Sequence, residues 1–154
     1  MITVENLSFT YLKAAEPALR GLSFGIARGE IFGFLGPSGA GKSTTQKILI
    51  GLLKDYQGQV SVFGKDLKDW RADYYERIGV SFEAPNHYLK LTALENLRYF
   101  AALYGNATQE PCALLERIGL GADGDKPVSQ FSKGMKNRLN VARALLHDPE
   151  LLFL

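Results

Sequence analysis

Nine consecutive residues, 36–44, read G-P-S-G-A-G-K-S-T and constrain this chain more than any other stretch. Gly36, then four residues, then Gly41, Lys42 and Ser43 fit the phosphate-loop pattern. The chemistry needs each residue type. Glycines let successive backbone N–H groups turn inward around an anion. A lysine adds a charge that reaches the outer phosphates, and a serine hydroxyl is a hard oxygen ligand suited to Mg²⁺. The flanks agree with this reading. Residues 31–35 (I-F-G-F-L) read as a strand buried on both faces, and residues 43–53 read as a helix whose N-terminus would face the anion. The pattern arises by chance about once in two hundred chains of this size. The candidate nucleotide-binding residues are therefore Gly36, Pro37, Ser38, Gly39, Ala40, Gly41, Lys42, Ser43 and Thr44.

Composition narrows the class of partner. Eighteen Lys and Arg against sixteen Asp and Glu give a net charge of +2 over 154 residues, so nucleic acid is not an expected partner. Cys112 is the single cysteine and has no internal disulfide partner, so a reducing, cytosolic setting is expected. The longest apolar runs, such as 48–53, fall short of the roughly 18 residues that a membrane span needs. The first residues, M-I-T-V-E, lack the basic stretch and apolar core of a signal peptide. Membrane association is expected through a partner.

In chain order, residues 2–11 and 18–27 alternate apolar and polar positions and read as two antiparallel strands, with Leu7, Phe9 and Tyr11 on one face. Residues 59–63 and 78–82 read as further strands, and 66–77 as a short helix. From Thr92 the pattern turns helical. Thr92 and Glu95 form a capping box, and Gly105-Asn106 ends that helix. A second helix is expected over 108–118. A third starts at Ser132, with Met135, Leu139, Ala142 and Leu146 as its apolar stripe. His87 and His147 read as ordinary loop and helix-end residues. The last four residues, L-L-F-L, read as a buried strand, and a chain stopping there looks cut.

Taken with the phosphate loop, three further stretches resemble the ATP-binding cassette family, the nucleotide-hydrolysing subunits of ABC transporters. Phe131 to Leu139 (F-S-K-G-M-K-N-R-L) is similar to the family's L-S-G-G-Q signature and the basic helix that follows it. Lys133 stands at the family's first glycine and Met135 at its glutamine. Glu83 stands where the family carries the glutamine that reaches Mg²⁺ and the attacking water. Tyr11 stands where the family stacks an aromatic ring on adenine.

The resemblance implies an α/β fold: a phosphate-loop NTPase (RecA-like) core with an N-terminal antiparallel β part and an inserted α-helical subdomain. Residues 1–82 would form the nucleotide-binding core, 83–148 the helical subdomain and 149–154 the start of the next core strand. It implies ATP and Mg²⁺ as cofactors, with Ser43 and Glu83 on the metal. Ser132 and Gly134 would meet the γ-phosphate held by Lys42 of a second ATP-binding subunit, in a homo- or heterodimer. It also implies a transmembrane permease subunit as partner, contacted through residues 86–91, an export function, and a cytoplasmic, peripheral place on the inner face of the membrane. In the family the acidic residues that complete the metal shell and polarise water directly follow a strand like 151–154. The chain ending at Leu154 is accordingly expected to bind ATP–Mg²⁺ with negligible turnover. Two other readings are a soluble cassette ATPase acting on nucleic acid or ribosomes, and a non-catalytic nucleotide-binding module. A kinase-type phosphate-loop enzyme requires the Ser132 motif to be coincidence.

Overall fold

Alternation of apolar side chains builds the first sheet, and one irregularity lets it work. In the computed structural model of the chain, strand β1 (Ile2–Phe9) pairs antiparallel with β2 (Leu19–Ile26) and β3 (Gln57–Val62), and β3 pairs with β4 (Lys65–Asp66). The order is β2-β1-β3-β4. Ile2 and Val4 are buried, and so are Leu7 and Phe9, an apolar pattern out of phase by one residue. The register shifts between residues 4 and 7, where Asn6 has φ 51° and donates its backbone N–H to Ser23 Oγ at 2.8 Å. The extra residue of a bulge resets which side chains face the core. The structure describes residues 1–82, 86–105 and 108–154.

The expected strand at 31–35 does not form. Ile31 and Leu35 are fully exposed and none of the four strands pairs with this stretch. Its apolar side chains find rings instead of a ladder: Phe32 stacks on Phe24 of β2 at 5.4 Å, and Phe34 stands edge-on to both. A strand exists only where a neighbour completes its backbone ladder, and β2, the edge strand whose Phe24 these rings meet, does not pair with it.

Helix α1 (Lys42–Leu49) follows the phosphate loop, as expected, but ends four residues early. Gly51, at φ 80°, donates to the Ile48 carbonyl, and Leu52 donates to the Lys47 carbonyl at 2.9 Å. This is a Schellman stop, which favours glycine at the left-handed position. The predicted helix over 66–77 is replaced by two three-residue 3-10 turns, Leu67–Asp69 and Ala72–Tyr74. Between them Trp70 takes an extended conformation, which buries its ring and lets Nε1 donate to the Val62 carbonyl at 3.2 Å.

Residues divide into two compact units, Met1–Arg71 and Ala72–Leu154. In the second, β5 (Ile78–Val80) and β6 (Leu151–Phe153) pair in parallel, and the helices lie between them in the chain. Helix α2 (Ala93–Ala101) carries the expected capping box, with Thr92 Oγ1 accepting from the Glu95 N–H and the Glu95 carboxylate accepting from the Thr92 N–H. The expected stop at Gly105-Asn106 falls partly on Asn106, outside the described residues. Helix α3 (Pro111–Arg117) starts later than its apolar pattern suggests, because Glu110 caps it and Pro111 takes its first position. Helix α4 (Lys133–Leu145) begins at its Ser132 cap as predicted. Leu97, Leu114, Leu120, Val128, Leu139 and Leu146 form the centre of one core joining these helices. Full burial of each such side chain is worth about 1.5–3 kcal/mol.

Candidate nucleotide-binding site

The phosphate loop is built against the start of β2. A Cβ on Gly41 would collide with the Leu19 side chain and the Ala18 carbonyl, and Gly41 has φ 86°, so only glycine lets the loop pass here. Immediately beyond it the backbone turns helical. The Thr45 N–H and Oγ1 both donate to the Gly41 carbonyl, at 2.8 and 3.0 Å. That leaves the first N–H groups of α1 without intrahelical acceptors, at the positive end of the helix dipole.

Lys42 is folded over the loop, its Nζ donating to the Gly36 and Pro37 carbonyls at 2.7 Å each. Ser38, Gly39, Ala40, Gly41, Lys42, Ser43 and Thr44 line a cavity of about 310 Å³ together with Tyr11 and Ala18. Its volume lies at the lower end of the range usual for small-molecule sites. The Tyr11 hydroxyl is 3.0 Å from Thr44 Oγ1, and its ring stands edge-on to Phe9 at 4.9 Å. Strand β1 ends at Phe9, so Tyr11 lies on the loop beyond it, more than a third exposed. The structure thus brings Tyr11 and residues 38–44 of the phosphate loop into one cavity, while Gly36 and Pro37 meet it through their carbonyl bonds to Lys42.

Ser132 and Gly134 belong to the second unit. Ser132 Oγ accepts from the Met135 N–H at 3.2 Å and caps α4. A Cβ on Gly134 would meet only Ser132 Oγ, at 3.9 Å, so this helix end is open to close approach. Lys133 is exposed beside it. Glu83 lies outside the described residues.

Three groups that drew little notice in the sequence are tied into α4. The His87 ring donates through Nε2 to the Lys136 carbonyl at 2.9 Å, while its Nδ1 is buried without a hydrogen-bond partner. Burial pushes the imidazole below its usual pKa, the Lys136 carbonyl opposes this, and the charges of Arg143 and Lys136 add to the lowering. Asn140 and Arg143 hydrogen-bond to the chain on either side of residues 83–85. The available signal was an asparagine beside the apolar stripe of α4. His147 follows the end of α4, as its sequence position suggests, and is buried there, stacked on Tyr104 at 4.1 Å and donating through Nε2 to the Ile78 carbonyl.

Comparison with known proteins gives one answer. The profile described as ABC transporter matches residues 19–154. The chain is 62% identical over 154 residues to a fluoroquinolones export ATP-binding protein of Mycobacterium tuberculosis, covering 100% of this chain and 51% of that protein. It is 41% identical to the bacitracin transport ATP-binding protein BcrA of Bacillus licheniformis, covering 98% of this chain and 50% of that one. The chain thus spans about half the length of these curated relatives. Among solved structures it superposes on a dimeric ATP-binding cassette in a post-hydrolysis state bound to ADP and Pi, with a TM-score of 0.83 and 29% identity over 99% of this chain and 72% of that one. Profile and superposition both take in the phosphate loop and the Ser132 helix, and the chain belongs to the ABC transporter family.

Proposed function

We propose that this chain is the nucleotide-binding portion of an ATP-binding subunit that drives export across a membrane. The observation that carries the reading is the loop at 36–44: a glycine-dependent turn into a helix N-terminus, with the Lys42 ammonium resting on the loop's own carbonyls. An anionic phosphate offers that ammonium a charged acceptor in place of two neutral ones, a stronger bond. The cavity residues fit a nucleotide. Backbone N–H groups and Lys42 take the phosphates, Tyr11 offers a ring to the base, and Ser43 offers a hydroxyl to Mg²⁺. Mg²⁺, when bound, neutralises phosphate charge.

Ser132 and Gly134 serve the nucleotide of a second subunit, where a capped helix end with open space beside it suits a γ-phosphate. A transmembrane permease is the other partner, and the inner face of the membrane is where the subunit works. Among the described residues no helix is long and apolar enough to cross a membrane. Support for export comes from the relatives, one named for fluoroquinolones export and another for bacitracin transport.

Calorimetric titration with ATP and Mg²⁺ tests the reading. Lys42→Ala should weaken binding about 10- to 100-fold, the value of a charge-assisted hydrogen bond or two. Equal affinity in wild type and variant overturns it.

A further inference from the structure

Beyond β5, the Ser81 N–H makes a last bond to the parallel strand, donating to the Phe153 carbonyl at 2.8 Å. Ser81, Phe82 and Asn86 are bonded to α4. Asn140, only 2% exposed, donates through Nδ2 to Ser81 Oγ at 2.9 Å and to the Phe82 carbonyl at 2.7 Å. Its Oδ1 accepts from Arg143 Nη2 at 2.6 Å, and Arg143 Nη1 donates to the Asn86 carbonyl at 2.9 Å. The guanidinium is fixed from behind by the Phe100 ring, 4.6 Å away. His87 adds its own bond to the Lys136 carbonyl.

One helix therefore holds the backbone at both Phe82 and Asn86, with two side chains that also bond to each other. Ser132, Lys136, Asn140 and Arg143 follow at intervals of four, four and three, which places them along one face of α4. Continuous helical hydrogen bonding over Lys133–Leu145 joins the capped head to these side chains. Both side chains are specialised for the task. Asn140 supplies donors and an acceptor at once, and Arg143 reaches two acceptors with one planar fork.

We propose that Asn140 and Arg143 are positioning residues, which carry a displacement of the Ser132 end of α4 to the loop at Ser81–Phe82 and Asn86–His87. This rests on the proposed nucleotide function, in which an anion meets Ser132.

The test uses the intact ATP-binding subunit and three readouts: steady-state hydrolysis, ATP affinity, and deuterium exchange of the peptide spanning 81–88. Arg143→Ala should lower kcat at least tenfold with KM and ATP affinity within about threefold, and Arg143→Lys should restore part of the loss. Asn140→Asp, which keeps the acceptor and removes both donors, should behave like Arg143→Ala. ATP with Mg²⁺ should slow exchange at 81–88 in wild type and leave it unchanged in Arg143→Ala. Unchanged kcat in folded variants overturns the proposal, and so does a fall in kcat that simply tracks ATP affinity and the folded fraction. If wild type neither binds nor hydrolyses ATP, the proposed function fails on its own. The grip is then judged on exchange: at least tenfold faster exchange at 81–88 in Arg143→Ala sustains it, and unchanged exchange overturns it.

Discussion

Tyr11 presents its hydroxyl and its ring to different neighbours, Thr44 Oγ1 on one side and the Phe9 ring on the other. Substitution can separate the two contributions. If the ring stacks on a nucleobase, Tyr11→Phe should leave ATP affinity within about twofold. Tyr11→Ala should lose about 1–3 kcal/mol, the usual value of one base–aromatic stack. Fluorescence titration with an ATP analogue reads both, and equal affinity in the two variants removes the stacking role. Lys42 shows how far a single residue is legible in advance. Its type and spacing mark it as a candidate phosphate ligand, whereas its resting place on the Gly36 and Pro37 carbonyls depends on loop geometry that spacing does not encode.

At the scale of elements, caps were the most readable feature because each is a local contract between residues three apart. The Thr92–Glu95 box and the Ser132 cap both stand where the sequence places them. Thr92→Ala should cost about 1 kcal/mol and lower the melting temperature by several degrees, while Thr92→Ser should stay near wild type. A melting curve distinguishes them. What sequence could not supply was pairing. Residues 31–35 have the apolar run of a buried strand, yet a strand exists only where a neighbour completes its ladder, and here three phenylalanine rings hold the stretch instead. The β1 bulge escaped notice for a related reason. Alternation from Ile2 and alternation back from Phe9 are each regular, and only the register shift shows that they disagree. The Asn140–Arg143 grip joins residues nearly sixty positions apart in the chain, so a pattern confined to one helix could at most flag a misplaced asparagine.

At the scale of the whole molecule, His87 gives stability a pH dependence with a definite sign. Its folded pKa lies below the ordinary value of 6.5, so the unfolded chain binds the proton more readily. The contribution is fully present above pH 6.5 and is lost as pH falls from there through the depressed folded value. Carboxylates titrate lower, and His87→Gln isolates the histidine. Urea unfolding at pH 7.5 and pH 5.5 should show a larger loss of stability on acidification for wild type than for His87→Gln. An equal loss in both would remove this role.

The parallel pair β5–β6 also sets an order of events at the ribosome. Ile78 aligns with Leu151 and Val80 with Phe153, partners about 70 residues apart, so closing this ladder carries a large entropic cost before any bond rewards it. The antiparallel sheet is complete once Asp66 has emerged. The second unit cannot close its ladder until Phe153 follows, several seconds later at about 5–20 residues per second. The interval between completion of the antiparallel sheet and closure of the parallel pair is thus set mainly by the 73 residues that separate Ile78 from Leu151.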